Sequence, residues 1–137
     1  MADTARQRIL LIEDDQALSR VLSMLLASSG FDVHSESSGL TAINFAAEHR
    51  PDLVILDLRL PDISGYEVCK ELRKIYNRWD VPVMMLTGMG QPSDQLRGFA
   101  HGADAYLTKP CESTELLGTI ALLLGKPVPS EADDDVA

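Results

Sequence analysis

Short runs of consecutive apolar residues alternate along the chain with longer stretches whose apolar residues recur every three or four positions. Ile9-Leu10-Leu11-Ile12 is compact, with β-branched ends, and predicts a buried strand. Leu18, Val21, Leu22, Leu25 and Leu26 then follow helical spacing, and Gly30 stops that helix. Phe31 to Ser37 is less apolar and alternates around Val33, which suits an exposed edge strand better than a central one. A second amphipathic helix spans Leu40 to His49. Pro51-Asp52 breaks it before Leu53-Val54-Ile55-Leu56, another buried strand. Ser64-Gly65-Tyr66-Glu67 has capping-box spacing and opens a third helix through Val68, Leu72 and Ile75. Val81 to Leu86 predicts a strand, with Pro82 near its start where no ladder bond need be lost. A helix over Ser93 to His101 ends at Gly102, a short strand covers Ala105 to Leu107, and a last helix runs from Ser113 to Leu124, stopped by Gly125.

The alternation predicts an α/β fold, a (βα)5 doubly wound, flavodoxin-like arrangement. Helices cover both faces of a five-stranded parallel sheet with right-handed crossovers. The strand order 2-1-3-4-5 puts the weakest strand at an edge. At 137 residues the chain is long enough for one domain with a full core. The expected division is a disordered N-terminus over 1–7, one folded domain over 8–125, and a disordered acidic tail over 126–137 containing Pro127, Pro129 and Asp133-Asp134-Asp135.

Composition narrows the function classes. Hydrophobic residues make up 45% and charged residues 24%, as in a globular protein. A formal net charge of -9 argues against direct nucleic-acid binding, which depends on Lys and Arg neutralising phosphates, and against docking on anionic membranes. No segment has the length and apolarity of a membrane span, and Met1 to Arg8 lacks the apolar stretch of a signal peptide, so the expected location is cytoplasmic. Cys69 and Cys111 match no metal-ligand spacing and are expected as reduced thiols. His34, His49 and His101 have no metal spacing either and are expected as exposed imidazoles. Met84, Met85 and Met89 read as packing and loop residues.

The candidate chemistry lies at the ends of the strands. The first runs into Glu13-Asp14-Asp15, the third ends at Asp57, the fourth at Thr87 and the fifth at Thr108-Lys109. Open parallel sheets bind ligands outside the carboxyl ends of their strands, so these side chains should share one cleft. Crowded carboxylates repel one another, and a hard divalent cation with oxygen ligands, such as Mg2+, relieves that repulsion. Asp57 can then act as a carboxylate nucleophile toward a phosphoryl group. Lys109 would neutralise phosphoryl charge and the Thr87 hydroxyl would donate to a phosphoryl oxygen, in a reaction governed by positioning and electrostatics.

Ile12-Glu13-Asp14-Asp15, Leu56-Asp57-Leu58-Arg59-Leu60-Pro61, Leu86-Thr87-Gly88 and Gly102-Ala103-Asp104-Ala105-Tyr106-Leu107-Thr108-Lys109-Pro110 occur in order, at strand ends. Together they resemble the receiver domain of two-component response regulators, over roughly residues 8 to 125. The resemblance implies that Asp57 is a phosphoacceptor, charged by a sensor histidine kinase or a histidine phosphotransfer protein. Mg2+ would be held by Asp57, Asp14 directly, Glu13 through water and the backbone carbonyl of Arg59. Lys109 would pair with the phosphoryl group, and its bond to Pro110 should be cis. Thr87 and Tyr106 would form a switch pair. The domain would be no enzyme on an outside substrate; it would catalyse its own phosphotransfer and autodephosphorylation. Its face of fourth helix, fifth strand and fifth helix would control a downstream protein or a homodimer. Some positions depart from the family. Gly88 stands where Ala is common and Cys111 where Phe is usual. Ala105 and Thr119 replace an Asp and an Arg used in one type of receiver dimer.

Other readings attach to single residues. Asp15 is either a third ligand or a helix cap, with the cap favoured. Taken alone, Thr87 is an ordinary strand-end residue and Tyr106 a half-buried packing residue. Leu116, Leu117, Ile120, Leu122, Leu123 and Leu124 spread more widely than one core stripe, so the last helix either frays or presents a partner surface. Arg59 either reaches solvent or, with Met89, screens an acyl phosphate. A phosphatase of the haloacid-dehalogenase kind needs a second acid where Arg59 stands, and a flavodoxin-like flavin carrier would have its phosphate repelled by Glu13-Asp14-Asp15. A docking receiver that works without phosphorylation is the remaining alternative. No output domain follows residue 125 in the sequence, so a stand-alone regulator and a piece of a longer protein are both compatible with it.

Overall fold

A computed structural model describes residues 6–125. Its elements alternate in chain order: β1 (Arg8–Ile12), α1 (Gln16–Ser28), β2 (Asp32–Glu36), α2 (Gly39–Glu48), β3 (Leu53–Leu56), α3 (Gly65–Ile75), β4 (Val83–Thr87), α4 (Pro92–Ala100), β5 (Ala105–Thr108) and α5 (Ser113–Leu123). The strands form one parallel sheet in the order β2-β1-β3-β4-β5, so the least apolar strand does lie at an edge. The expected tail over 126–137 and most of the expected N-terminal segment lie outside the described residues. Gln7 is described, and its carbonyl accepts the Asp32 N–H at 2.9 Å, so bonding begins before residue 8.

The apolar runs are continuous because the sheet is covered on both faces. Successive side chains in a strand point to opposite faces. Leu10, Ile12, Val54, Leu56, Val83 and Met85 therefore pack with Ala42 and Ala46 of α2 and Val68, Cys69 and Leu72 of α3. Ile9, Leu11, Leu53, Ile55, Met84 and Leu86 pack on the other face with Leu22 and Leu26 of α1 and Leu116 and Ile120 of α5. Full burial of each such side chain is worth about 1.5–3 kcal/mol.

Boundary differences have local causes. β4 begins at Val83 rather than Val81, because Pro82 offers no N–H; its carbonyl still accepts from Val54 N at 3.0 Å. α4 begins at Pro92, a residue suited to the first helical position. Asp15 caps α1, its side chain accepting from Leu18 N at 3.1 Å. Ser64 caps α3 through Glu67 N at 3.3 Å, as the capping-box spacing suggested. Gly30 and Gly102 follow α1 and α4 with φ of +99° and +106°, a region that favours glycine. The Lys109–Pro110 bond is cis, as expected.

The histidines differ from expectation. His34 is half-buried, its ring stacked on Phe45 at 3.7 Å and its Nε2 2.6 Å from Glu36 Oε2. His101 is half-buried between the Arg97 carbonyl and the Tyr66 ring. Only His49 of the three is exposed. The cause is tertiary: β2 and α2 bring Phe45 over His34, a contact that ligand spacing does not encode. Both cysteines are free, and burial pushes the Cys69 thiol up to about 11, leaving it unreactive.

Candidate functional site

The sheet ladder sets the register of the cleft. Beyond the last residues of the strands, Asp57 N–H donates to Ile12 O at 3.0 Å, Glu13 N–H to Glu36 O at 3.0 Å, and Lys109 N–H to Thr87 O at 2.8 Å. These bonds carry the parallel pairing one residue past the strands. They place Glu13, Asp57, Thr87 and Lys109 side by side at the carboxyl end of the sheet.

Their side chains converge. Lys109 Nζ lies 2.7 Å from Glu13 Oε1 and 2.8 Å from Asp57 Oδ2. The second oxygen of each acid is held by backbone: Asp15 N–H donates to Glu13 Oε2 and Arg59 N–H to Asp57 Oδ1, both at 3.2 Å. Glu13 is 3% exposed, Asp57 6% and Thr87 0%, whereas Asp14 is exposed at the rim. Burial raises the pKa of Glu13, and the Asp57 charge adds to that rise against the pull of Lys109. Burial pushes Asp57 the same way, but hydrogen bonds from Lys109, Arg59 N–H and the Thr87 hydroxyl outweigh it and hold Asp57 below its ordinary value. Lys109 is pulled down by burial and raised further by its two carboxylates, so it stays an ammonium.

Glu13, Asp14 and Asp57 each offer a carboxylate oxygen, and these atoms lie within 4.8 Å of one another. An all-oxygen donor set with one member open to water suits a hard, partly hydrated cation such as Mg2+. Asp15 lies outside this set, engaged at the start of α1.

Tyr106 sits beside the cleft on β5. Its hydroxyl donates to the Met89 carbonyl, and the Met89 N–H donates to Thr87 Oγ1 at 3.4 Å. The backbone of Met89 thus joins the two residues read as a switch pair. The Arg59 side chain is exposed. Cys111 lines a mainly apolar cavity of about 400 Å³ with Leu18, Leu22, Leu86, Lys109 and Pro110.

One contributor escaped the sequence reading. A Cβ at Gly65 would lie 2.4 Å from the Asp57 carbonyl oxygen and 2.7 Å from Leu58 Cα, and Gly65 N–H donates to Leu58 O at 2.9 Å. The first turn of α3 is therefore pressed against the backbone that carries Asp57. The available signal was a glycine directly after the Ser64 cap, where capping needs no glycine.

The family model of the response regulator receiver domain matches residues 9–121. The chain belongs to this family. Among curated proteins, the receiver is 44% identical over 117 residues to the DNA-binding dual master transcriptional regulator RpaA of Synechocystis, covering 85% of this chain and 48% of that protein. It is 37% identical over 130 residues to response regulator MprA of Mycobacterium, covering 95% of this chain and 56% of that one. The receiver thus spans about half the length of the curated relatives it matches. Among solved structures, a CheY-like receiver domain protein of Methanospirillum hungatei superposes with a TM-score of 0.83 at 26% identity, over 88% of this chain and 95% of that one. The receiver domain of a sensor histidine kinase of Pseudomonas aeruginosa gives a TM-score of 0.81 at 32% identity, over 89% and 100% of the two chains. That structure has a magnesium ion coordinated in its active-site cleft. Among the described residues, no helix of this receiver is long and apolar enough to cross a membrane.

Proposed function

We propose that this receiver accepts a phosphoryl group on Asp57 from the phosphohistidine of a sensor histidine kinase or a histidine phosphotransfer protein. The observation that carries the reading is the convergence of Lys109 Nζ on Asp57 and Glu13 at 2.8 and 2.7 Å, beside three carboxylates close enough to share one cation. Asp57 Oδ would attack phosphorus as the bond to the donor's imidazole nitrogen breaks, yielding an acyl phosphate. The lowered pKa of Asp57 keeps the nucleophile ionised. Lys109 can leave its hydrogen bond to Asp57 and follow the incoming phosphoryl charge. The buried Thr87 hydroxyl, which helps to hold the Asp57 pKa down, can turn its proton toward a phosphoryl oxygen. Mg2+, held by Asp14, Asp57, the Arg59 carbonyl and Glu13 through water, would supply charge neutralisation for the donor and the acyl phosphate.

On this reading the receiver is a signalling domain whose only catalysis is its own phosphorylation and dephosphorylation. Its output surface is the face of α4, β5 and α5, where Leu96, Phe99 and Leu122 are 71%, 44% and 65% exposed while Leu116 and Ile120 of α5 are buried. A downstream protein or a second copy would cover it, and Leu122→Glu should abolish that association. The test of the site is intact-mass analysis after incubation with acetyl phosphate and Mg2+. The wild type should gain one phosphoryl group and Asp57→Asn none; equal labelling of both would refute the assignment.

A further inference from the structure

Gly98 is the only buried residue of α4 and sits inside the helix, where glycine is a poor former. A Cβ built there would lie 2.8 Å from Met85 Sδ and 3.1 Å from both Cδ2 and Cε2 of Tyr106. Met85 and Tyr106 are register partners on β4 and β5, and Met85 is wholly buried. The sulfur therefore has little room to yield, and the aromatic ring would have to. The other mid-helix glycine, Gly118 of α5, has nothing within 4 Å of a built Cβ. The two glycines share a residue type and a helical setting, and only one is pressed by a side chain of the site.

We infer that Gly98 is a positioning residue of the switch: the side chain it lacks is the seat that lets the Tyr106 ring lie against α4 with its hydroxyl on the Met89 carbonyl. A methyl group at this position drives the ring outward. Met89 then loses the hydroxyl on its carbonyl, while its N–H remains the partner of Thr87. The response of the β4–α4 loop to a phosphoryl group on Asp57 weakens as a result, a consequence that rests on the function proposed above.

The test compares wild type, Gly98→Ala, Gly118→Ala, Tyr106→Ala and the double variant Gly98→Ala/Tyr106→Ala. Cross-relaxation in NMR between the Tyr106 ring protons and the α-protons of residue 98 should be strong in the wild type and Gly118→Ala, and lost in Gly98→Ala. Helix propensity alone raises the urea midpoint of both glycine variants. The seat predicts a higher midpoint for Gly118→Ala, a lower one for Gly98→Ala, and a higher one again when Gly98→Ala is added to Tyr106→Ala, because removal of the ring opens the space into which the neighbouring Met85 sulfur can shift. Affinity for beryllofluoride in the presence of Mg2+ should fall about fivefold in Gly98→Ala, at the low end of coupling between linked sites. Retained ring contacts together with a midpoint raised as in Gly118→Ala would overturn the inference. If Gly98→Ala does not fold, the double variant decides: folded supports the seat, unfolded refutes it. Failure of beryllofluoride to distinguish wild type from Asp57→Asn would sink the phosphoacceptor reading, while the ring contacts and midpoints would still decide Gly98.

Discussion

At the scale of single residues, Lys109 is the counter-ion on which the two most deeply buried acids depend. Replacing it with Met leaves Glu13 and Asp57 facing each other without a cation. Breaking a buried pair from one side costs about 3–5 kcal/mol. The Lys109 side chain is 24% exposed, so a smaller loss of about 2 kcal/mol is expected without divalent ions. Added Mg2+ should raise the melting temperature of Lys109→Met more than that of the wild type, as thermal scans across a MgCl2 series would show. A second residue-scale expectation concerns Gly65. Since a Cβ there meets backbone rather than a flexible side-chain end, Gly65→Ala must displace the Asp57–Leu58 segment. It should slow acetyl phosphate labelling at least about tenfold, in line with the sensitivity of reactions to misplacement of about 1 Å. Neither role was legible in local sequence. The acids and the lysine could be placed at strand ends, because the strand pattern says where each run stops. That one ammonium bridges both acids depends on contacts 96 and 52 residues apart, which no periodicity encodes.

At the scale of elements, α2 shows what the pattern does and does not carry. Its apolar spacing announced a helix, and Ser38 caps it locally. Its first two N–H groups, those of Gly39 and Leu40, are taken by Asp62 from the loop after β3, at 2.8 Å each. That loop also follows Asp57, so the start of α2 is tied to the segment carrying that acid. The two N–H donors hold the Asp62 carboxyl below its ordinary pKa. A depressed folded-state pKa means stability that is present above the unfolded value, near pH 4, and lost as the pH falls through the folded value. Asp62→Ala should therefore lower stability at pH 7 by up to about 1 kcal/mol, the usual worth of a helix cap. Urea titrations at pH 7 and pH 3 should show this gap shrinking in acid; a gap unchanged between them would contradict the account. Strands β1, β3 and β4 were the most legible elements, since short apolar runs buried on both faces and bounded by turn residues leave little choice of assignment. Helix ends moved by a residue or so, where caps rather than hydrophobic spacing decide.

At the scale of the whole molecule, Arg73 joins three parts of the fold. Its Nε donates to Gly102 O at 3.0 Å, one Nη to Val81 O at 2.7 Å and the other to Asp104 Oδ2 at 2.6 Å, an oxygen that also accepts Val83 N–H at 2.9 Å. The end of α3, the start of β4 and the turn into β5 are fastened at the pole opposite the cleft. Arg73→Lys keeps the charge but not the fork, and a loss of about 1–3 kcal/mol in urea unfolding is expected, with no change in acetyl phosphate labelling. Sequence reading had no access to this fastening, because an arginine in an amphipathic helix looks like any solvated charge. The open edge of the sheet has a different consequence. The outer side of β2 offers unpaired backbone groups on a strand that carries Asp32, His34 and Glu36. An edge of this kind invites a second molecule to zip on, and carboxylates along it keep copies apart. The chain's nine net negative charges act in the same direction, and salt screens both. The colloidal behaviour of this receiver is thus written on its outermost strand. Light scattering should rise as salt is added and rise at lower salt for Asp32→Val, although that residue lies at the end of β2 away from the cleft.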